Sequence, residues 1–249
     1  MKKSMMKLFS AIVLSVGVLG AGVFIGKGLY SFRNASHIVT VKGMAERNVK
    51  SDLGVWEINY REIGDDLSLV NKQLEHDQAL VADFLISHGF KNEELTVQSV
   101  RVEDRQANTY EQANAKTKLE RYVVTSGIRV RSTHVDLIAK INALTGTLLQ
   151  QGVAVAFDIG SLSPNPSYYF TRLDSLRPEM LADATHSARL VAEQFANDAG
   201  THLGSISHAS QGLFQLMSRD SMNADEGSSA LSSIDKKIRL VTTIDYQLK

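Results

Sequence analysis

A chain of 249 residues, 43% apolar and 22% charged, has the material for a globular core and is not a disordered polymer. It has no cysteine, which excludes disulfides, thiolate catalysis and cysteine-based zinc or iron–sulfur sites. The formal charge is zero, but Lys2, Lys3, Lys7, Lys27 and Arg33 fall within residues 1–35 with no acid among them. The remainder is therefore mildly acidic and lacks the basic face that nucleic-acid binding needs.

Leu8 to Ile25 is an uncharged, mostly apolar run of 18 residues behind three lysines. It reads as an export signal or membrane anchor outside the fold, with the lysines kept in the cytoplasm and the domain on the far side. Continued through Tyr30, it approaches the ~20 residues that span a bilayer. The expected layout is a signal-anchor helix over about 8–30 within residues 1–35, then a periplasmic domain over 36–249. That makes a single-pass inner-membrane protein facing the periplasm. A cleaved signal and a soluble periplasmic protein are the alternative, with small residues at Gly20 and Gly22. Gly22-x-x-x-Gly26 is spaced to pack two anchor helices closely, although glycine is also common in export signals.

His37–Lys42 and Leu53–Arg61 read as strands, joined by a polar link from Met44 to Asp52. Asp65-Asp66 cap a helix carrying Leu67, Val70, Leu74, Val81, Phe84 and Leu85 at helical spacing, which stops at His88-Gly89. Leu95–Glu103 and Arg121–Arg131 are strands around a polar tip, Asp104–Glu120. Thr133 starts a second helix, with Leu137, Ile138, Ile141, Leu144 and Leu148 on one face. It ends near Gly152, before a strand at Val153–Ile159. Pro164-Asn165-Pro166 breaks the chain ahead of Tyr168, Tyr169 and Phe170, an apolar loop suited to a protein interface or to folding over the core.

The strongest helical period runs from Leu176 to Gly200. Leu176, Met180, Leu181, Ala184, Ala188, Val191, Ala192, Phe195 and Ala199 form one stripe. Asp174 and Ser175 are capping types, Pro178 suits a first turn, and Gly200 suits the left-handed end. So much alanine predicts a backbone lying close against a sheet or another helix. A strand around Ser205–Leu216, a mobile loop at Ser218–Ser233 and a final alternating strand, Ile238 to Leu248, complete the chain. The order ββ-α-ββ-α-β-α-ββ predicts an α+β fold of mainly antiparallel sheet with three helices packed on its faces, plus the N-terminal helix.

The opening Val39-Thr40-Val41-Lys42-Gly43-Met44-Ala45-Glu46 resembles a strand and "V-x-G-x-G/A-E" turn of the SIMPL-domain family. Gly152-Val153 with Phe157-Asp158-Ile159 also fit. The late block, Ala188-Arg189 and Ala199-Gly200-x-x-Leu203-Gly204-x-Ile206, is similar to the family's "A-x-x-A-x-G-x-x-L-G-x-I" signature. The resemblance covers about 37–249. It departs at Ala45, where glycine is common, and at Ile234-Asp235-Lys236-Lys237, where a Pro-Gly turn is frequent. It implies an exported, SIMPL-like bacterial envelope protein. Members are largely of unknown function, some linked to oxidative-stress defence and some assembling into rings. It supplies no active site.

The residues supply none either. Ser233-x-x-Lys236 has the spacing of penicillin-recognising enzymes but lacks partner motifs and a helix start. The seven histidines have no metal-ligand spacing, and His134-x-Asp136 looks like a helix start. Asp65-Asp66 and Glu93-Glu94 sit at element starts, and no phosphate loop follows a strand. The expectation is a non-enzymatic envelope protein without cofactor or metal. It would act through self-assembly as a homo-oligomer or through an unknown envelope partner. A small-molecule or lipid-binding module, with a pocket between sheet and helices, is the alternative.

Overall fold

The computed structural model describes residues 15, 17, 19–27, 37–107, 120–155, 165–220 and 227–249. In chain order these form β1 (Ile38–Lys50), β2 (Leu53–Gly64), α1 (Leu67–Ser87), β3 (Leu95–Val97), β4 (Arg101–Asp104) and β5 (Tyr122–Ser132). There follow α2 (Val135–Asn142), α3 (Gly146–Gln150), β6 (Ser167–Tyr169), α4 (Leu173–Asp198), β7 (Leu203–Gln211), β8 (Gln215–Ser218), α5 (Gly227–Ser232) and β9 (Asp235–Leu248). The α+β class stands, with antiparallel pairing in both sheets. The chain divides into two compact units. One comprises Met1–Ala45, Pro178–Phe214 and Leu240–Lys249, and the other Glu46–Arg177 and Gln215–Arg239.

The larger unit holds a five-stranded sheet of order β3-β5-β2-β6, with β4 also on β5. β2 and β5 pair from Gly54↔Ser132 to Gly64↔Tyr122. Strand alternation sends Trp56, Ile58 and Tyr60 of β2, and Val124, Ile128 and Val130 of β5, to one face. There they meet Val70, Leu74, Val81, Phe84 and Leu85 of α1, Ile138 and Ile141 of α2, and Leu148 of α3. Asp66 caps α1 as expected, accepting from the Ser68 and Leu69 amides at 2.8 and 3.2 Å.

In the smaller unit, the sheet order is β1-β9-β7. α4 lies on β1 and β9, where Val41, Ala188, Ala192, Ile244 and Tyr246 form the core. Its buried row is a pure i, i+4 series: Met180, Ala184, Ala188, Ala192 and Ala196. Gly43 of β1 sits beneath it. A Cβ there would come within 1.9 Å of the Ala184 carbonyl and 2.7 Å of the Ala188 methyl. Gly200 ends the turn after α4 with φ +67°, and the Thr201 amide bonds back to the Ala196 carbonyl at 2.9 Å.

The structure differs from the expected elements in definite ways. Among the described residues from 37 onward there are five α-helices where three were expected. The expected helix from Thr133 breaks into α2 and α3, because Thr145 and Thr147 turn their hydroxyls back onto the Asn142 and Leu144 carbonyls. Part of the expected loop at Ser218–Ser233 is α5. The Lys236 ammonium closes that helix, donating to the Ala230 carbonyl and, at 2.8 Å, to the Ser233 carbonyl. β1 runs through the expected polar link to Lys50, since Ala45, Arg47 and Val49 keep the alternation. The strand expected at Leu95–Glu103 is interrupted after Val97, and that at Ser205–Leu216 divides at Gly212–Phe214. α4 starts at Leu173, so Pro178 is its sixth residue and Asp174 and Ser175 lie inside it.

Much of the expected anchor, about 8–30, lies outside the described residues, as do most of the tip at Asp104–Glu120 and residues 156–164. Residues 19–27 are helical. Among the described residues no helix is long and apolar enough to cross a membrane.

Gly43→Ala is expected to destabilise the protein by about 3 kcal/mol, because a backbone carbonyl occupies the space the methyl needs. Lys42→Ala, on the exposed side of the same strand, is expected to stay within about 0.5 kcal/mol. Urea unfolding of the two variants measures both, and matching midpoints would contradict the close approach.

Candidate functional site

The face of the five-stranded sheet opposite the core is built from cross-strand rows. Because Trp56, Ile58 and Tyr60 point into the core, Glu57, Asn59 and Arg61 point away from it. Glu57 pairs with Arg129 in register, and the guanidinium grips its carboxylate at 2.6 and 2.7 Å. In the next row Asn59 faces Gly127, where any Cβ would meet the Asn59 side-chain oxygen at 2.4 Å. The following row is Arg61–Thr125–Arg101, with Thr125 opposite both arginines.

A bulge shapes the far wall. Val97 faces Ile128 and Arg101 faces Thr125, so Gln98, Ser99 and Val100 stand against only two residues of β5. The Gln98 amide bonds the Gly127 carbonyl at 2.8 Å, and the Ser126 hydroxyl donates to the Gln98 carbonyl at 3.2 Å. The result is a polar trough of about 360 Å³ whose lining includes Thr125, Arg61, Arg101 and Gln98 together with the carboxylates Glu57 and Glu103. Two donors in its lining, Arg61 Nε and Gln98 Nε2, are buried without a hydrogen-bond partner.

A second polar cluster lies beside α1. Asp77 is buried, with Oδ1 accepting from Gln73 at 3.2 Å and Oδ2 without a partner. Burial and the Asp77 carboxyl together push Glu62 up to about 7. A proton held by Glu62 serves the pair, since two adjacent carboxylates cannot both ionise cheaply in a partly buried site. Tyr60, also buried, is pushed up by burial and by the Asp77 charge.

The residues singled out from the sequence are placed as follows. Tyr168 is 4% exposed and belongs to the core, because Ser167–Tyr169 pairs with Val55–Leu53 as a strand where a loop was expected. Tyr169 is 38% exposed and Phe170 is half-buried, so those two alone stand at the surface. Gly22 and Gly26 are exposed in the helical residues 19–27. Ser233 and Lys236 do not engage each other through their side chains. The Ser233 hydroxyl donates to the Asp235 carbonyl at 2.7 Å, and the ammonium is spent on carbonyls. His134 starts α2. Among the described residues no group of three His, Asp or Glu side chains is placed to hold a metal.

Sequence reasoning missed Arg61, Gln98 and Arg101. The only signal was an arginine on the polar face of each of two strands, and the register that unites them is not visible along the chain.

In the smaller unit, β7 is the last strand of its sheet, and most of it is exposed. From Leu203 to Phe214 it and its continuation carry no Asp, Glu, Lys or Arg, whereas the part of β1 in this unit, at the other edge, carries Lys42.

A family model described as SIMPL, a protein of unknown function (DUF541), matches residues 39–245. Among the curated proteins searched, none matches the chain.

Glu62 is expected to make stability depend on pH. Its folded value lies above the usual 4.5, so its proton stabilises the fold fully below about 4.5, and this is lost as pH rises through about 7. Glu62→Gln is expected to match the parent at pH 4 and exceed it by on the order of 1–2 kcal/mol at pH 8, after discounting for partial exposure. Denaturation at the two pH values measures this, and an equal difference at both would contradict the shared proton.

Proposed function

The chain belongs to the SIMPL (DUF541) family, and from that membership we propose that it is a non-enzymatic protein of the cell envelope that works by self-assembly and partner binding. Its N-terminal run, Leu8 to Ile25 behind three lysines, would anchor it in the inner membrane with the folded units in the periplasm. A role in the envelope or in its response to oxidative stress fits that position. No cofactor is invoked.

The observation that carries the assembly reading is the edge strand β7. An edge of exposed backbone donors and acceptors is a template for another strand, and proteins that avoid such pairing place charge on it. In this unit β1 presents Lys42 and β7 presents no Asp, Glu, Lys or Arg. The occupant that suits an uncharged edge of serine, alanine and glutamine is β7 of a second copy, related by a two-fold axis. Ile206 on β7 is 49% exposed and Phe195 on α4 is 53% exposed, apolar surface in the same unit that association would cover.

The polar trough favours a second reading, a binding module for a small molecule. That molecule would be polar, since the trough lies on the sheet face opposite the helices and is lined by polar groups. Tyr169 and Phe170 are a further candidate contact for an envelope partner.

Light scattering on the full chain in detergent micelles tests the assembly reading. The expected result is a defined oligomer that dissociates when Ser207→Lys and Ser210→Lys place charge on β7. A strict monomer at high concentration would overturn it, and so would an oligomer indifferent to both lysines.

A further inference from the structure

We propose that the trough on the five-stranded sheet binds a small oxyanion, a phosphate or carboxylate group, between Arg61 and Arg101. The proposal rests on the binding-module reading and names the chemistry of its ligand.

Three observations converge. First, charge is balanced in one row of this face and not in another. Glu57 and Arg129 neutralise each other across β2 and β5. Two rows along the strands, Arg61 and Arg101 flank the same residue, Thr125, and among the described residues neither is ion-paired. Adjacent strands lie about 4.8 Å apart, so the two arginine backbones stand roughly 10 Å apart across Thr125. Two guanidinium side chains leaning inward from that separation close on a single group above the threonine hydroxyl. Planar forks of this kind suit carboxylate and phosphate oxygens.

Second, buried donors there are left open. Arg61 Nε and Gln98 Nε2 are shielded from solvent with no acceptor. Burying a donor without an acceptor is unfavourable, so each of these calls for a partner. Both are donors and both line this one cavity. What they lack is an acceptor, and an anion offers several.

Third, the floor is shaped for a guest. Gly127 leaves the sheet bare between Asn59 and the bulge, and the extra residue of the bulge turns Gln98 and Ser99 towards the space above it. Two carboxylates also line the trough: Glu57, which is neutralised by Arg129, and Glu103, one row beyond Arg101 and opposite Val123. A cavity of about 360 Å³ admits a small metabolite or one headgroup and excludes a folded domain.

Titration calorimetry on the full chain in detergent at low ionic strength tests this. The probes are inorganic phosphate, succinate and, as a neutral control, glucose. The expected result is that phosphate or succinate binds, and which of them binds identifies the group preferred. Affinity should fall at least tenfold in Arg61→Gln and in Arg101→Gln and stay within twofold in Arg131→Gln, which lies on β5 outside the row. Arg101 is exposed, so its variant keeps the test meaningful if Arg61→Gln misfolds. Anion binding unaffected by Arg101→Gln would overturn the proposal. Binding of glucose alone would overturn it and leave the binding-module reading standing, whereas no binding of any probe would overturn both.

Discussion

α4 rests on β1 at backbone contact, and the rest of the smaller unit follows from that. Gly43 is the only residue type that fits beneath the Ala184 carbonyl and the Ala188 methyl. An approach this close demands small residues along the whole buried row, which is why four of its five members are alanine. The larger apolar residues of the helix, Leu181, Val191 and Phe195, have no room under it and remain on its flanks. The helix therefore covers β1 and β9 and leaves β7 largely bare. The free edge of β7 itself follows from its place at the end of the strand order.

The larger unit solves a different problem. Its sheet has one face committed to α1, α2 and α3 and another that is mostly polar. The apolar side is conventional packing, and its exceptions are the Glu62–Asp77 pair and Tyr60, where polar groups are buried behind the strands. The other face is ordered by register. A bulge and a glycine interrupt an otherwise regular ladder beside a cavity lined by two arginines and an unmet amide. The features that stand out in the two units are surfaces, one an edge and the other a face.

How much of this was legible in the sequence depends on whether a feature is local. The alternation of β5 and β9, the Asp66 cap of α1 and the left-handed Gly200 are set by neighbours within a few residues, and each appears in the structure. The alanine-rich helix was legible too, but its buried side was not. Periodicity counts Val191 and Phe195 as core, and only the tertiary approach to Gly43 excludes them. The break between α2 and α3 turns on threonine hydroxyls competing for carbonyls, a choice that apolar spacing does not encode. The prolines ahead of β6 point to a loop, whereas pairing with Val55–Leu53 decides its state. Arg61 and Arg101 lie forty residues apart and become neighbours only through β5. A site of that kind cannot be read from spacing along one chain.

The free edge is the claim on which the assembly reading stands, and hydrogen–deuterium exchange across Leu203–Gln211 in the full chain tests it most directly. If β7 pairs with a second copy, amides on both of its edges are protected. That protection falls on dilution, while β9 stays protected throughout. If β7 is a permanently solvent-exposed edge, the amides not bonded to β9 exchange at the rate of an open strand at every concentration, and the proposed assembly through this strand is wrong.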